Sequence, residues 1–138
     1  MSKLIRFGVS IEESLIKKFD SYIKEKSYSN RSEAIRDIIR KDLVKNEWAS
    51  DGEVACGVVM VYDHHKRDLV NRLLDVQHDY SNVIISTQHV HLDHDNCLEI
   101  LAVRGNAKNV EEMANKLTSM KGVKHCSIAK TSIGKAIN

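Results

Sequence analysis

Proline is absent from the 138-residue chain, and no function follows from that alone. Other shortages exclude more. No apolar run approaches the roughly 18–20 residues that a membrane-spanning helix needs, so no membrane partner is expected. The opening MSKLIRFGVS lacks the apolar stretch of a secretory signal. Cysteine is scarce and odd in number, three residues in no CxxC pair, which argues against a disulfide framework. A reducing compartment follows, and the expectation is a cytoplasmic protein. Charge of one sign is scarce too: the net is +2, too mild to mark a nucleic-acid binder.

What is present is unevenly placed. Residues 1–48 hold 11 lysines and arginines against 8 acidic residues, whereas residues 49–138 hold 10 against 11. All seven histidines lie at or after His64. A basic, histidine-free front and a histidine-rich back read as two modules, 1–48 and 53–138. The small, polar stretch Ala49–Gly52 has the composition of a boundary between them.

In the front module, Ile5, Phe7, Val9 and Ile11 alternate with Arg6, Gly8 and Ser10, a strand's period of two. Ser10 with Glu13 offers a capping box for a first helix carrying Leu15, Ile16, Phe19, Tyr22 and Ile23. Asn30 with Glu33 offers a second, ahead of a stripe at Ala34, Ile35, Ile38, Ile39 and Leu43. So small a strand–helix–helix unit rarely stabilises itself without a staple, a metal or a partner. A second copy pairing its strand antiparallel would bury the apolar face and turn Arg6, Gly8 and Ser10 outward. Such a two-stranded ribbon fits a DNA major groove, and it equally describes a plain dimerisation module.

The back module alternates between periods. Strands are expected at 54–63, 82–92, 97–104 and 123–130, with helices at 67–80 and 110–120. The order β-α-β-β-α-β is the split βαβ, ferredoxin-like arrangement. The fold class is therefore α+β.

Chemistry concentrates in Gln88–Glu99. His89 and His91, two apart in a strand, project from one face roughly 6–7 Å apart at Cα. If His91 lies across from Cys97, the thiol joins them, and two imidazoles with a thiolate make a donor set for a borderline ion. His78 is the best fourth donor by residue type. Spacing does not choose among Ni(II), Cu(II) and Zn(II). Read as packing instead, the histidines are a polar strand face and Cys97 a small buried hydrophobe. Cys56 and Cys126 read as buried structural thiols, and Trp48 as a packing residue where the modules join. His94 reads as solvent-facing, and His64-His65-Lys66-Arg67 as a solvated turn or a phosphate contact. An enzyme is not expected: no oxyanion site accompanies a Cys97–His91 pair.

The run Asn30-Arg31-Ser32-Glu33-Ala34-Ile35-Arg36-Asp37, after a strand and a helix, resembles the ribbon-helix-helix repressors. Together with Gln77-His78 and His89-Val90-His91 through Cys97-Leu98-Glu99, the chain resembles the NikR family of nickel-responsive transcriptional regulators over nearly its whole length. The resemblance implies a ribbon-helix-helix (β-α-α) DNA-binding domain ahead of a ferredoxin-like, ACT-type domain. It implies a homotetramer, a dimer of dimers, with one Ni(II) per subunit. His89, His91 and Cys97 of one chain and His78 of a neighbour would hold the ion in a square plane. It further implies a double-stranded DNA operator, read by Arg6, Gly8 and Ser10 and touched on its backbone by Lys66 and Arg67. Glu33 and Asp37 would join a second cation site, and Tyr62 and Gln77 would support the ligands. The expected action is repression of nickel-uptake genes. One departure stands out: Gly8 occupies a position where the family often carries a hydroxyl, so readout would rest on Arg6 and Ser10. His64 offers an accessory metal site. The competing readings are a metal-independent ribbon-helix-helix repressor and a regulator sensing an amino acid through its ferredoxin-like domain.

Overall fold

The structure is a computed structural model that describes residues 2–138. Its contacts divide into two units: residues up to Leu43 with Ala136–Asn138, and Val44–Lys135.

In the first unit, residues 2–12 belong to no helix or sheet. The strand expected over 5–11 forms no backbone ladder here, because a strand is defined by a neighbour and these residues have none within one chain. Ile5 and Phe7 are 76% and 72% exposed. With Val9, Ile16, Phe19 and Ile35 they line an open groove of about 990 Å³. Helix α1 (Glu13–Glu25) starts later than the capping signature implies: Glu12 takes the cap position and no side chain caps it. The expectation for Ser10 is therefore corrected. Its residue continues the strand-like alternation instead of closing a helix end. Helix α2 (Arg31–Ala49) starts as expected, with the Glu33 amide donating to Asn30 Oδ1 at 2.9 Å. It runs well past Leu43, because Val44, Glu47 and Trp48 continue at helical spacing as a new half-buried stripe. Its sharp end comes where Asp51 takes a left-handed φ of 61°.

The second unit is one four-stranded antiparallel sheet with two helices packed on its buried face. The elements are β1 (Glu53–Asp63), α3 (Arg67–Asp79), β2 (Ile84–His91), β3 (Asn96–Asn106), α4 (Ala107–Thr118) and β4 (Val123–Ser132). The strand order β2-β3-β1-β4 is that of the ferredoxin-like fold. Alternation sets the core: Val54, Cys56, Val58, Met60 and Tyr62 of β1 are buried, and so are Cys97, Leu101 and Val103 of β3. They meet Leu69 and Leu73 of α3, and Val110, Met113 and Leu117 of α4. The opposite face, with Val59, Val61, Leu98 and Ile100, stays half-exposed. Trp48 belongs to this unit, where its indole donates to the Thr131 carbonyl at 2.9 Å. Among the described residues, no helix is long and apolar enough to cross a membrane.

Candidate metal centre

The hairpin of β2 and β3 places the sulfur. The turn between the strands is tightened by Asp93, whose Oδ1 accepts from the Asp95 and Asn96 amides at 2.9 and 2.8 Å. That turn sets a register in which His91 faces Cys97 and His89 faces Glu99. On its other side, Cys97 faces Tyr62 of β1. All these side chains lie on the sheet face that the helices cover further along. At the β2 edge that cover is thin, so His89 and His91 are exposed while Cys97 is buried. Cys97 Sγ lies 3.8 Å from His89 Nδ1. A thiol in contact with one imidazole and in register with another suits a borderline divalent ion, and the donor chemistry fits such a guest.

Not every expected residue converges. His78 sits on α3, exposed, near its C-terminal end. Among the described residues of one chain, no three of His78, His89, His91 and Cys97 bring donor atoms within 4.8 Å of one another. Lys66 and Arg67 are exposed where α3 begins. Arg6, Gly8 and Ser10 are all exposed, and a side chain at Gly8 would meet nothing within 4 Å. Glu33 pairs with Arg36, and Asp37 accepts from Tyr28 and pairs with Lys41 at 3.0 Å. These donors hold the Asp37 carboxyl below the usual carboxylate range, and Asp37 in turn pushes the Tyr28 phenol up to about 12. Cys56 is buried as expected. Cys126 is only partly covered, because β4 is an edge strand.

One residue of the site lies in the motif but has no role assigned by the sequence. Glu99 is 1% exposed, the only buried charged side chain among the described residues. Its Oε2 accepts from the Tyr62 hydroxyl at 2.7 Å. Its Oε1 accepts from Gln77 Nε2 at 2.8 Å and from the Thr87 hydroxyl at 3.3 Å. His89 Nε2 stands 3.5 Å from the same oxygen. Tyr62 and Gln77 therefore reach this carboxylate, which in turn touches His89. A charge so buried needs every one of these partners. Burial first, then the bond to Glu99, pushes the Tyr62 phenol up, which keeps it a donor. The hairpin register was the available signal for Glu99: once His91 pairs with Cys97, the residue facing His89 is fixed.

Residues 55–131 match the family model described as the NikR C terminal nickel binding domain. Fold and family model together define a metal-binding regulatory domain, not an enzyme. A regulator from Syntrophus aciditrophicus named as nickel-responsive is 54% identical over 134 residues, covering 97% of this chain and 98% of its own. One of the same name from Chlorobium phaeobacteroides is 57% identical, covering 96% and 98%. A third, from Thermococcus kodakarensis, is 54% identical, covering 98% and 99%. The chain belongs to the NikR family of nickel-responsive regulators.

Proposed function

We propose that the protein is a nickel-dependent DNA-binding transcriptional regulator that represses nickel-uptake genes when Ni(II) is bound. One ion per subunit is held by His89, His91 and Cys97, with His78 contributed by a neighbouring chain. The observation that carries this reading is the buried Cys97 thiol, 3.8 Å from His89 Nδ1 with His91 across the ladder. The buried carboxylate of Glu99 beside His89 adds a negative charge that favours a cation there and orients the ring. His78 is exposed on α3 and not gathered in one chain, which is what a ligand shared with a second chain requires. A set split in this way makes the bound ion a link between subunits, so its binding energy favours one assembly over others. The half-exposed apolar sheet face of Val59, Val61, Leu98 and Ile100 supplies surface for a homotetramer of this kind.

The front unit supports the DNA-binding half of the reading. Its apolar groove and unpaired 2–12 segment fit a second copy, whose strand would pair antiparallel and close the groove. The ribbon so formed turns Arg6, Gly8 and Ser10 toward an operator's base edges, with Lys66 and Arg67 available to its phosphates. Glycine offers no donor, so Arg6 and Ser10 carry the readout. Glu33 and Asp37 would join a second cation site only by exchanging their present partners Arg36 and Lys41 for the ion.

The Cys97→Ala protein is expected to lose both its thiolate-to-nickel absorption band and its nickel-dependent operator binding. Absorption titration and gel-shift measurement check it, and retention of both would overturn the assignment. Equilibrium dialysis against nickel and a panel of amino acids separates this reading from an amino-acid sensor.

A further inference from the structure

Helix α2 carries a second stripe besides the one that ends at Leu43. Arg40, Val44, Glu47 and Trp48 recur at i, i+4, i+7 and i+8, so they share one face. All four are half-buried, while the residues between them are exposed. The segment that leaves β4 covers this face. The Trp48 indole donates to the Thr131 carbonyl at 2.9 Å, and the Ser132 hydroxyl donates to Glu47 Oε1 at 3.3 Å. Arg40 Nε donates to the Ile137 carbonyl at 3.0 Å. The partners run 131 to 137 in the segment against 48 to 40 in the helix, so the two are antiparallel. Arg40 to Trp48 is about 12 Å of helix, whereas six extended residues would cover about 20 Å. The slack is taken up at Gly134, whose φ is 87° and whose amide donates to Ser132 Oγ at 3.0 Å.

The two ends of this contact differ. At Trp48, Lys130 Nζ stands 4.9 Å over the indole ring and pairs with Glu111 of α4 at 2.8 Å, which fixes that end to the core. At Arg40 there is one hydrogen bond, with Ile133 and Ile137 half-buried in the segment. Between the two, Glu47 Oε2 is buried without a hydrogen-bond partner, which weakens the middle. The Trp48 and Glu47 contacts lie within the Val44–Lys135 unit and the Arg40 contact within the other. The chain therefore joins the units twice, inside α2 and at Lys135–Ala136. We propose that residues 131–137 form a releasable strap on α2, anchored at Trp48 and latched at Arg40, that governs how freely the first unit turns about the Leu43–Val44 step. Latched, the strap adds a second tether; released, it leaves α2 as the one connection. In the regulator proposed above, on which this consequence rests, the strap is a route by which the metal-binding core constrains the operator-binding unit.

The test is amide hydrogen exchange of the full-length protein, with fluorescence read in parallel, since Trp48 is the chain's only tryptophan. Ile137→Asp should raise exchange across residues 40–44 by about fivefold or more, and leave β1, β2, β3 and the Trp48 emission unchanged. Arg40→Met, which removes the hydrogen bond without altering the strap, should do the same. Asn138→Ala, an exposed residue beyond the latch, should change nothing. Wild-type exchange over 40–44 in both latch variants overturns the strap, and so does an equal rise in Asn138→Ala. Should the Trp48 emission show that Ile137→Asp unfolds, Arg40→Met decides by the same criterion. Gel shifts with and without Ni(II) then read the coupling. Both latch variants should keep the thiolate absorption band and lose about threefold or more of nickel's effect on operator binding. An undiminished effect beside raised exchange overturns the coupling and leaves the proposed function standing. A wild-type protein whose operator binding ignores nickel sinks that function instead, with the exchange result untouched.

Discussion

The two units bury their apolar residues in opposite ways. In Val44–Lys135, alternation along β1 and β3 delivers Val58, Met60, Leu101 and their neighbours to a closed core, completed by α3 and α4. In the first unit, α1 buries nothing and α2 buries only Ala34, while Ile5, Phe7 and Val9 lie open. Yet the front sequence is as well patterned as the back. The difference teaches where each pattern is satisfied: the core of Val44–Lys135 closes within one chain, whereas the apolar face of the front unit stays open in one chain. On the proposed function, the metal-binding core would persist in any assembly state, whereas the DNA-reading face would form only when chains meet.

The sharpest contrast comes from deleting a side chain in each region. Leu117→Ala, in a position with no exposure at all, should cost about 2–5 kcal/mol through lost burial and the cavity left behind. Denaturant unfolding should show that loss at the same size at every protein concentration. A shift of under 1 kcal/mol would mean the core is not closed within the chain.

Phe7→Ser tests the other half. Judged from one chain, a 72% exposed side chain is dispensable and its removal should fall within about 0.5 kcal/mol. If it packs against a second copy, its loss removes about 2–3 kcal/mol of burial per chain. The destabilisation should then grow on dilution, and operator binding should disappear. Sedimentation and gel-shift measurements check both. A variant that dimerises and binds DNA normally would break the comparison drawn above.

What the sequence made legible follows the same division. The β-α-β-β-α-β order was readable because every element of the back unit has one face on a shared core, so its period survives in the sequence. The register of His91 with Cys97, and the face His89 shares with them, were readable because strand alternation and one tight turn are local rules. Glu99 was not, since a carboxylate in an otherwise apolar alternation reads as a solvent-facing residue until its partners Tyr62, Gln77 and Thr87 are seen. The docking of residues 131–137 on α2 was hidden for a different reason. Partners 83 and 97 residues apart in the chain share no period. The start of α1 was misjudged because Ser10 satisfies a capping signature that its backbone does not use. The apolar stripe of α2 is legible only as far as Leu43, because it changes face after that residue.

The smallest expected effect probes how the front unit holds its helices without a core. Arg31, at the start of α2, grips Asp20 of α1 through Nε and a terminal nitrogen, both at 2.9 Å. The guanidinium holds the Asp20 carboxyl below its usual range, mainly through this hydrogen bonding. A carboxyl lowered in the folded state contributes stability that is fully present above its unfolded value, near pH 4. That contribution is lost as pH falls through the lower folded value. Solvent exposure keeps the effect small. Asp20→Asn should therefore lower the denaturation midpoint slightly at pH 7, and the two proteins should converge as the pH drops well below 4. Midpoints measured across pH 2–7 decide it. Curves that stay parallel down to pH 2 would show that the pair does not join α1 to α2. The helices of one chain would then be held together by little besides the apolar surface that a second copy is expected to cover.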